Sequence, residues 1–314
     1  MPLGNIVSFD TGTFDGTVTY DFLVKSIKLG GHEKSFNYVI DLEYKPEKLY
    51  VVLNIKRRRD VEPKWRLWLN EFSLTKEFRP NIEIDTGTLK LSSIIYDITP
   101  LAKIGKNEFS VSYKGLQEIS LESIGYIAFY KAEQFITNYN LMSGVLALRP
   151  LEHATFQCNG ECYLIVNNDK EGKLIVDNYE ISGDEPEEIK FNKTGEIEVK
   201  SVSQNSKSLG YVYAFYSLKY KVPKIDVDID YSLEGDSLTV KAVSNSEINL
   251  DKVIINVLLN GISINYRVFE NIKPNSVIEY PVKLNGFKKG ILNIRVVSIK
   301  AGYRKIFDKT LQIK

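Results

Sequence analysis

Only two histidines and two cysteines occur among 314 residues, and that scarcity narrows the chemistry the chain can carry. Histidine is the usual general base near neutral pH. His32 follows Gly30-Gly31 in a turn and His153 follows Leu151-Glu152 between strands, so neither stands in a catalytic motif and both are expected in surface or packing roles. No active site and no cofactor are expected. Two cysteines cannot build the framework of a small disulfide-dense domain, and they fall short of the four ligands of a structural zinc site. Net charge is missing too: 41 Lys and Arg stand against 40 Asp and Glu. No long-range field therefore concentrates the protein on nucleic acid or an anionic membrane. The opening Met1-Pro2-Leu3-Gly4-Asn5 has neither the basic start nor the apolar run of a signal peptide, and no stretch reaches the roughly 18 apolar residues of a membrane span. The chain reads as soluble, cytoplasmic as it stands, and cell-surface or extracellular if it is a processed form.

What is present is β pattern. Short runs of β-branched and aromatic residues alternate with Gly, Asn, Asp and Pro, and few segments hold a helical period. The expectation is an all-β chain of two or three units. Early strands are read at Thr17 to Val24, Ser35 to Glu43 and Leu49 to Ile55, then at Lys64 to Leu69. In the last of these, Trp65, Leu67 and Leu69 alternate with Arg66, Trp68 and Asn70, which defines one core face. Asp97 or Thr99 is placed to cap a short turn over Pro100 to Lys103. Val222-Pro223-Lys224 reads as a joint, after which about seven strands run from Lys224 to Ile313 with the spacing of an immunoglobulin-like sandwich.

Two segments carry a resemblance. Trp65-Arg66-Leu67-Trp68-Leu69-Asn70, followed by Tyr96-Asp97-Ile98-Thr99-Pro100-Leu101 and Gly105-Lys106-Asn107-Glu108, resembles the galactose-binding-like jelly-roll accessory domain of glycoside hydrolases over residues 1–137. In that family the first strand ends in Leu-Asn-Gly, and here Glu71 stands where the glycine would be. The motif implies a scaffold in which Asp97 or Thr99 holds the turn and Asn107 starts the next strand; it carries over no sugar-binding residue. Residues 223–314 resemble adhesion-type immunoglobulin-like modules, through Leu238 to Ser246. The expected organisation is tandem β-sandwich domains: a jelly roll over 1–138, a small β-sandwich or barrel-like domain over 139–221 packed on it, and an immunoglobulin-like sandwich over 222–314.

Candidate sites are few. If Asn159-Gly160-Glu161 is a three-residue hairpin loop, Cys158 and Cys162 face each other and a disulfide is feasible; if Asn159-Gly160 alone turns, the sulfurs move out of line. Asp226, Asp228 and Asp230 share one strand face, where a hard cation or opposed lysines would relieve their repulsion. Lys56-Arg57-Arg58-Arg59, with Lys64 and Arg66 nearby, makes a basic edge that Asp60 and Glu62 interrupt and no nucleic-acid motif accompanies. The aromatic runs Tyr126 to Tyr130 and Tyr211 to Tyr216 carry large rings at both parities, so a second face needs a cover. Tyr126, Tyr130, Tyr211, Tyr213 and Phe215 are the expected domain-interface residues. Trp68, with Arg66 and Asn70, is the ligand-binding candidate, since a sugar could stack on a ring facing away from the core. The expected role is a noncatalytic interaction or structural protein whose partner is another protein or a second copy. The alternative is carbohydrate binding, as a module or as an accessory subunit of a glycan-processing enzyme.

Overall fold

The computed structural model describes residues 1–62, 65–74, 80–284 and 289–313. The chain is all-β, and among the described residues its helical segment is a 3-10 turn at Thr99–Leu101. Among the described residues no helix is long and apolar enough to cross a membrane. Pro100 lies in the turn as expected, but the expected span Pro100 to Lys103 and its cap are corrected: the segment is Thr99–Leu101 and its N-cap is Ile98, with no side-chain cap. Asp97 Oδ1 instead accepts from the backbone N–H and the hydroxyl of Thr99, and Leu49 N–H donates to Thr99 Oγ1.

The chain divides into two compact units, one of Met1–Phe14, Val18–Lys131 and Thr137–Tyr220, the other of Asp15–Thr17, Ala132–Ile136 and Lys221–Lys314. The first unit holds three sheets. A four-stranded sheet runs Ser35–Leu42, Gly105–Tyr113, Trp65–Leu69, Phe72–Ser73. A five-stranded sheet runs Gly16–Leu29, Ile119–Lys131, Lys48–Arg58, Leu89–Asp97, Ile82–Asp85. A seven-stranded sheet runs Leu3–Phe14, Ile136–Leu148, Gly210–Lys221, His153–Asn168, Glu187–Ser201, Lys173–Val176, Tyr179–Ser182. The strand Leu3–Phe14 has little apolar alternation and was not legible beforehand; it lies at a sheet edge, mostly exposed, and pairs with Ile136–Leu148 through Asn138 opposite Thr13.

The five-stranded sheet is the middle layer. Ile119–Lys131 is buried along nearly its whole length, as a strand covered on both faces should be. Ile127 and Phe129 face the seven-stranded sheet, in one apolar cluster with Leu141, Val145, Tyr211, Tyr213 and Tyr216. Tyr126 and Tyr130 take the opposite parity, meeting Tyr38 at 6.5 Å and Tyr44 at 6.2 Å. The expected interface is thus corrected: Ile127 and Phe129 hold the place given to Tyr126 and Tyr130, because both faces of that strand are buried and ring identity does not say which neighbour each meets. Phe215 is corrected likewise. It stacks on Phe156 at 5.1 Å in a separate cluster on the far side of the seven-stranded sheet. A register shift after Ile165, opposite Ala214, skips Tyr213 and lets Tyr211, Tyr213 and Tyr216 share one face despite their mixed parity. The far-side cluster spans the sheet, from Ile6 and Leu148 at one end to Leu174, Val176 and Ile181 at the other.

The second unit is a sandwich of a three-stranded sheet (Val227–Glu234, Ser237–Ser244, Val277–Lys283) and a four-stranded one (Ile262–Ile272, Leu250–Leu259, Gly290–Lys300, Tyr303–Ile313). Alternate residues of both, among them Val240, Tyr280, Ile255 and Ile294, form its core. Phe135 is part of that core, 1% exposed and edge-on to Tyr303 at 5.8 Å. Thr17 Oγ1 donates to the Ala301 carbonyl.

Candidate ligand-binding groove

The four-stranded sheet buries Trp65, Leu67 and Leu69 and turns Arg66 and Trp68 outward. Trp68 lies opposite Ser110 on one neighbouring strand and Ser73 on the other, with Asn37 beyond Ser110. These short side chains leave one side of the indole uncovered. Around it opens a groove of ≈ 750 Å³ lined by Val39, Trp68, Asn70, Glu71, Lys103, Lys106, Asn107, Glu108 and Ser110, a size within the usual range for small-molecule sites.

Two amides build the rim. Asn107 is fully buried and closes the loop before its strand, accepting from Lys103 N–H at 2.9 Å and donating to the carbonyls of Lys103 and Gly105 at 2.6 and 3.0 Å. Asn70 Nδ2 donates to Asn107 Oδ1 at 2.9 Å, and Asn70 Oδ1 accepts from Glu108 N–H at 3.0 Å. Asn70 therefore lines the groove while its side chain is spent on the scaffold. Arg66 shares the outward face but stands opposite Ser112, outside the lining. Of the three residues expected to bind, Trp68 alone offers a free functional surface to the groove. Lys103, Lys106, Glu108 and Glu71 were missed, because they come from a turn, a loop and a strand start that meet only once the sheet is formed. The one signal in the sequence was Glu71 in a glycine position.

The groove gathers two lysines and two glutamates, yet among the described residues Lys103, Lys106 and Glu71 have no side-chain ion pair or hydrogen bond, and Glu108 accepts only from Ser110 Oγ. Several cations elsewhere are paired. In the expected basic edge, Lys56 pairs with Glu122, Arg57 with Glu83, Arg58 with Asp60 and Arg59 with Asp85; Lys64 lies outside the described residues. Buried Glu122 also accepts from Asn167 and Ser26.

The aspartate row is drawn into side-chain and strand contacts: Asn245 donates to Asp228, Lys309 lies 3.6 Å from Asp230, and Asp226 N–H donates to Ser246. Among the described residues no group of three His, Cys, Asp or Glu side chains is placed to hold a metal. Both histidines are exposed. Cys158 and Cys162 are joined in a disulfide with a Cα–Cα distance of 5.9 Å. The hairpin expected between them is corrected: both lie in the single strand His153–Asn168, which pairs without interruption from Cys158 opposite Gly195 to Cys162 opposite Phe191.

No family model matches this sequence, and no curated protein matches it. Among solved structures the chain is similar to β-glucuronidase from Parabacteroides merdae, with TM-score 0.25 and 8% identity over 58% of this chain and 28% of the other. Bacteroides uniformis β-glucuronidase 3 gives TM-score 0.25, 8% identity, and 58% and 27% coverage. The Ruminococcus gnavus β-glucuronidase gives TM-score 0.22 and 12% identity over 99% of this chain and 45% of the other. The chain spans less than half the length of these proteins, and likeness at this level assigns no activity.

Proposed function

We propose that this chain is a noncatalytic carbohydrate-binding protein, with a jelly-roll-like sandwich as its binding layer and Trp68 as the platform on which a sugar ring stacks. The observation that carries the reading is the half-buried indole of Trp68, flanked by serines and bordered by unpaired Lys103, Lys106 and Glu71. An aromatic face supplies apolar contact to the C–H side of a pyranose, and charged groups not already spent on one another supply hydrogen bonds to its hydroxyls. A protein partner would be expected to seek a broader apolar anchor than one ring among charges.

The chain has two tryptophans, and Trp65 is buried at 6% exposure, so a ligand-dependent change in indole emission reports on Trp68. Titration with a panel of oligosaccharides is expected to give a saturable shift for at least one, and Trp68→Ala is expected to abolish binding without altering the far-UV circular dichroism. A panel that leaves the emission unchanged throughout would refute the reading.

A further inference from the structure

We propose that Glu71 is the specificity-determining residue of the Trp68 groove, and that its carboxylate selects a neutral saccharide by accepting hydrogen bonds from sugar hydroxyls. The inference rests on the binding reading above and adds a ligand class to it.

Leu69 pairs with Phe72, so Asn70 and Glu71 are the two residues of a tight hairpin turn, and both have left-handed backbone angles, φ 48° and φ 70°. A turn that needs positive φ at both central positions favours Asn followed by Gly. Asn tolerates this region because its short polar side chain bonds locally, as Asn70 does with Glu108 and Asn107. Glutamate has no such compensation, and its Cβ crowds the backbone there. The Glu71 side chain does nothing for the fold in return: it is exposed and, among the described residues, makes no hydrogen bond or ion pair. A strained residue whose side chain is structurally idle, on the lining of a groove beside the one unburied indole, fits a binding role. The charges give the ligand class. Lys103 and Lys106 are balanced by Glu71 and Glu108, so the groove has no excess positive charge to hold an anion. A carboxylate accepts from hydroxyls and repels acidic sugars, while the ammonium groups donate to hydroxyl or ring oxygens.

The test compares wild type, Trp68→Ala, Glu71→Gly and Glu71→Gln by isothermal titration against neutral oligosaccharides (cello-, xylo-, manno- and galacto-series) and oligogalacturonate, with Tm read for each. Wild type is expected to prefer a neutral ligand. Glu71→Gly is expected to lose about tenfold or more in affinity while its Tm rises by about 1–3 °C as the turn relaxes. Glu71→Gln, which keeps the strain, is expected to weaken binding with Tm unchanged. Loss of binding in Trp68→Ala with full affinity in Glu71→Gly would overturn the role of Glu71 and leave the groove standing. Tighter binding of oligogalacturonate would overturn the ligand class, and an unchanged Tm in Glu71→Gly would overturn the strain argument. Failure of wild type to bind any sugar would remove the underlying reading instead.

Discussion

Asp10 gathers three donors: Lys48 Nζ and the Tyr50 hydroxyl at 2.9 Å, and the Tyr139 hydroxyl at 3.0 Å. It sits beside the register shift between Ser8 and Asp10 in the edge strand, and through Lys48 and Tyr50 it ties that strand to the middle layer. Burial alone would raise its pKa, but the hydrogen bonds from Lys48, Tyr50 and Tyr139 outweigh burial and hold the carboxyl below its ordinary value. A carboxylate depressed in the folded state adds stability that is complete above its unfolded pKa, near 3.9, and is lost as pH falls through the lower folded value. Asp10→Asn is therefore expected to cost about 1–2 kcal/mol at pH 7, with the half-exposed Lys48 arm discounted for screening. Urea midpoints of the two proteins should converge as pH drops below about 4; a gap that stays constant with pH would place the effect elsewhere. Such a node is not legible in sequence, because Asp10, Tyr50 and Tyr139 belong to strands far apart in the chain. Trp68 was legible, because its parity against Trp65, Leu67 and Leu69 needs only the period of one strand.

The strand His153–Asn168 shows where element-level reading fails. Asn-Gly between two cysteines signals a hairpin, yet the chain passes through it as one strand with a sharp bend. Residues four apart in an extended strand stand about 13 Å apart, whereas the Cys158 and Cys162 Cα atoms are 5.9 Å apart. Gly160 makes the bend: its φ is +101°, and a Cβ there would lie 2.5 Å from the Leu218 carbonyl oxygen. Pairing with Gly210–Lys221 begins at Glu161, just past it. A two-residue turn signal cannot tell a hairpin from a bend, since glycine at positive φ serves both; the flanking partners decide. The disulfide staples the bend inside the cluster that holds Phe156 and Phe215. Replacing both cysteines by alanine is expected to cost about 2 kcal/mol, the low end for so short a closed loop. Wild type in strong reductant should lose a similar amount in chemical denaturation, and the double variant should be indifferent to reductant.

Across the whole molecule the sequence told the class of fold and the need for a second cover over the aromatic strands, but not which residues each unit collects. Period-two alternation reports that a face is buried; it does not report by what. The second unit shows this most plainly, since Phe135 and Thr17 join it from far upstream of Lys221, where its main stretch begins. Phe135→Ala is expected to destabilise that unit by about 3–5 kcal/mol. Both tryptophans lie in the first unit, so the loss should appear as faster hydrogen exchange in Leu250–Leu259 and Gly290–Lys300 with little change in tryptophan emission on mild denaturation. Equal loosening of Lys48–Arg58 would contradict it. The origin of Phe135 also sets a timetable for biosynthesis. At about 5–20 residues per second, a ribosome takes on the order of ten to thirty seconds to travel from Phe135 to Tyr303. For that interval the ring has emerged but its cover has not, so the nascent chain carries an unsheathed aromatic hook, a natural address for a holdase, until the final strands arrive.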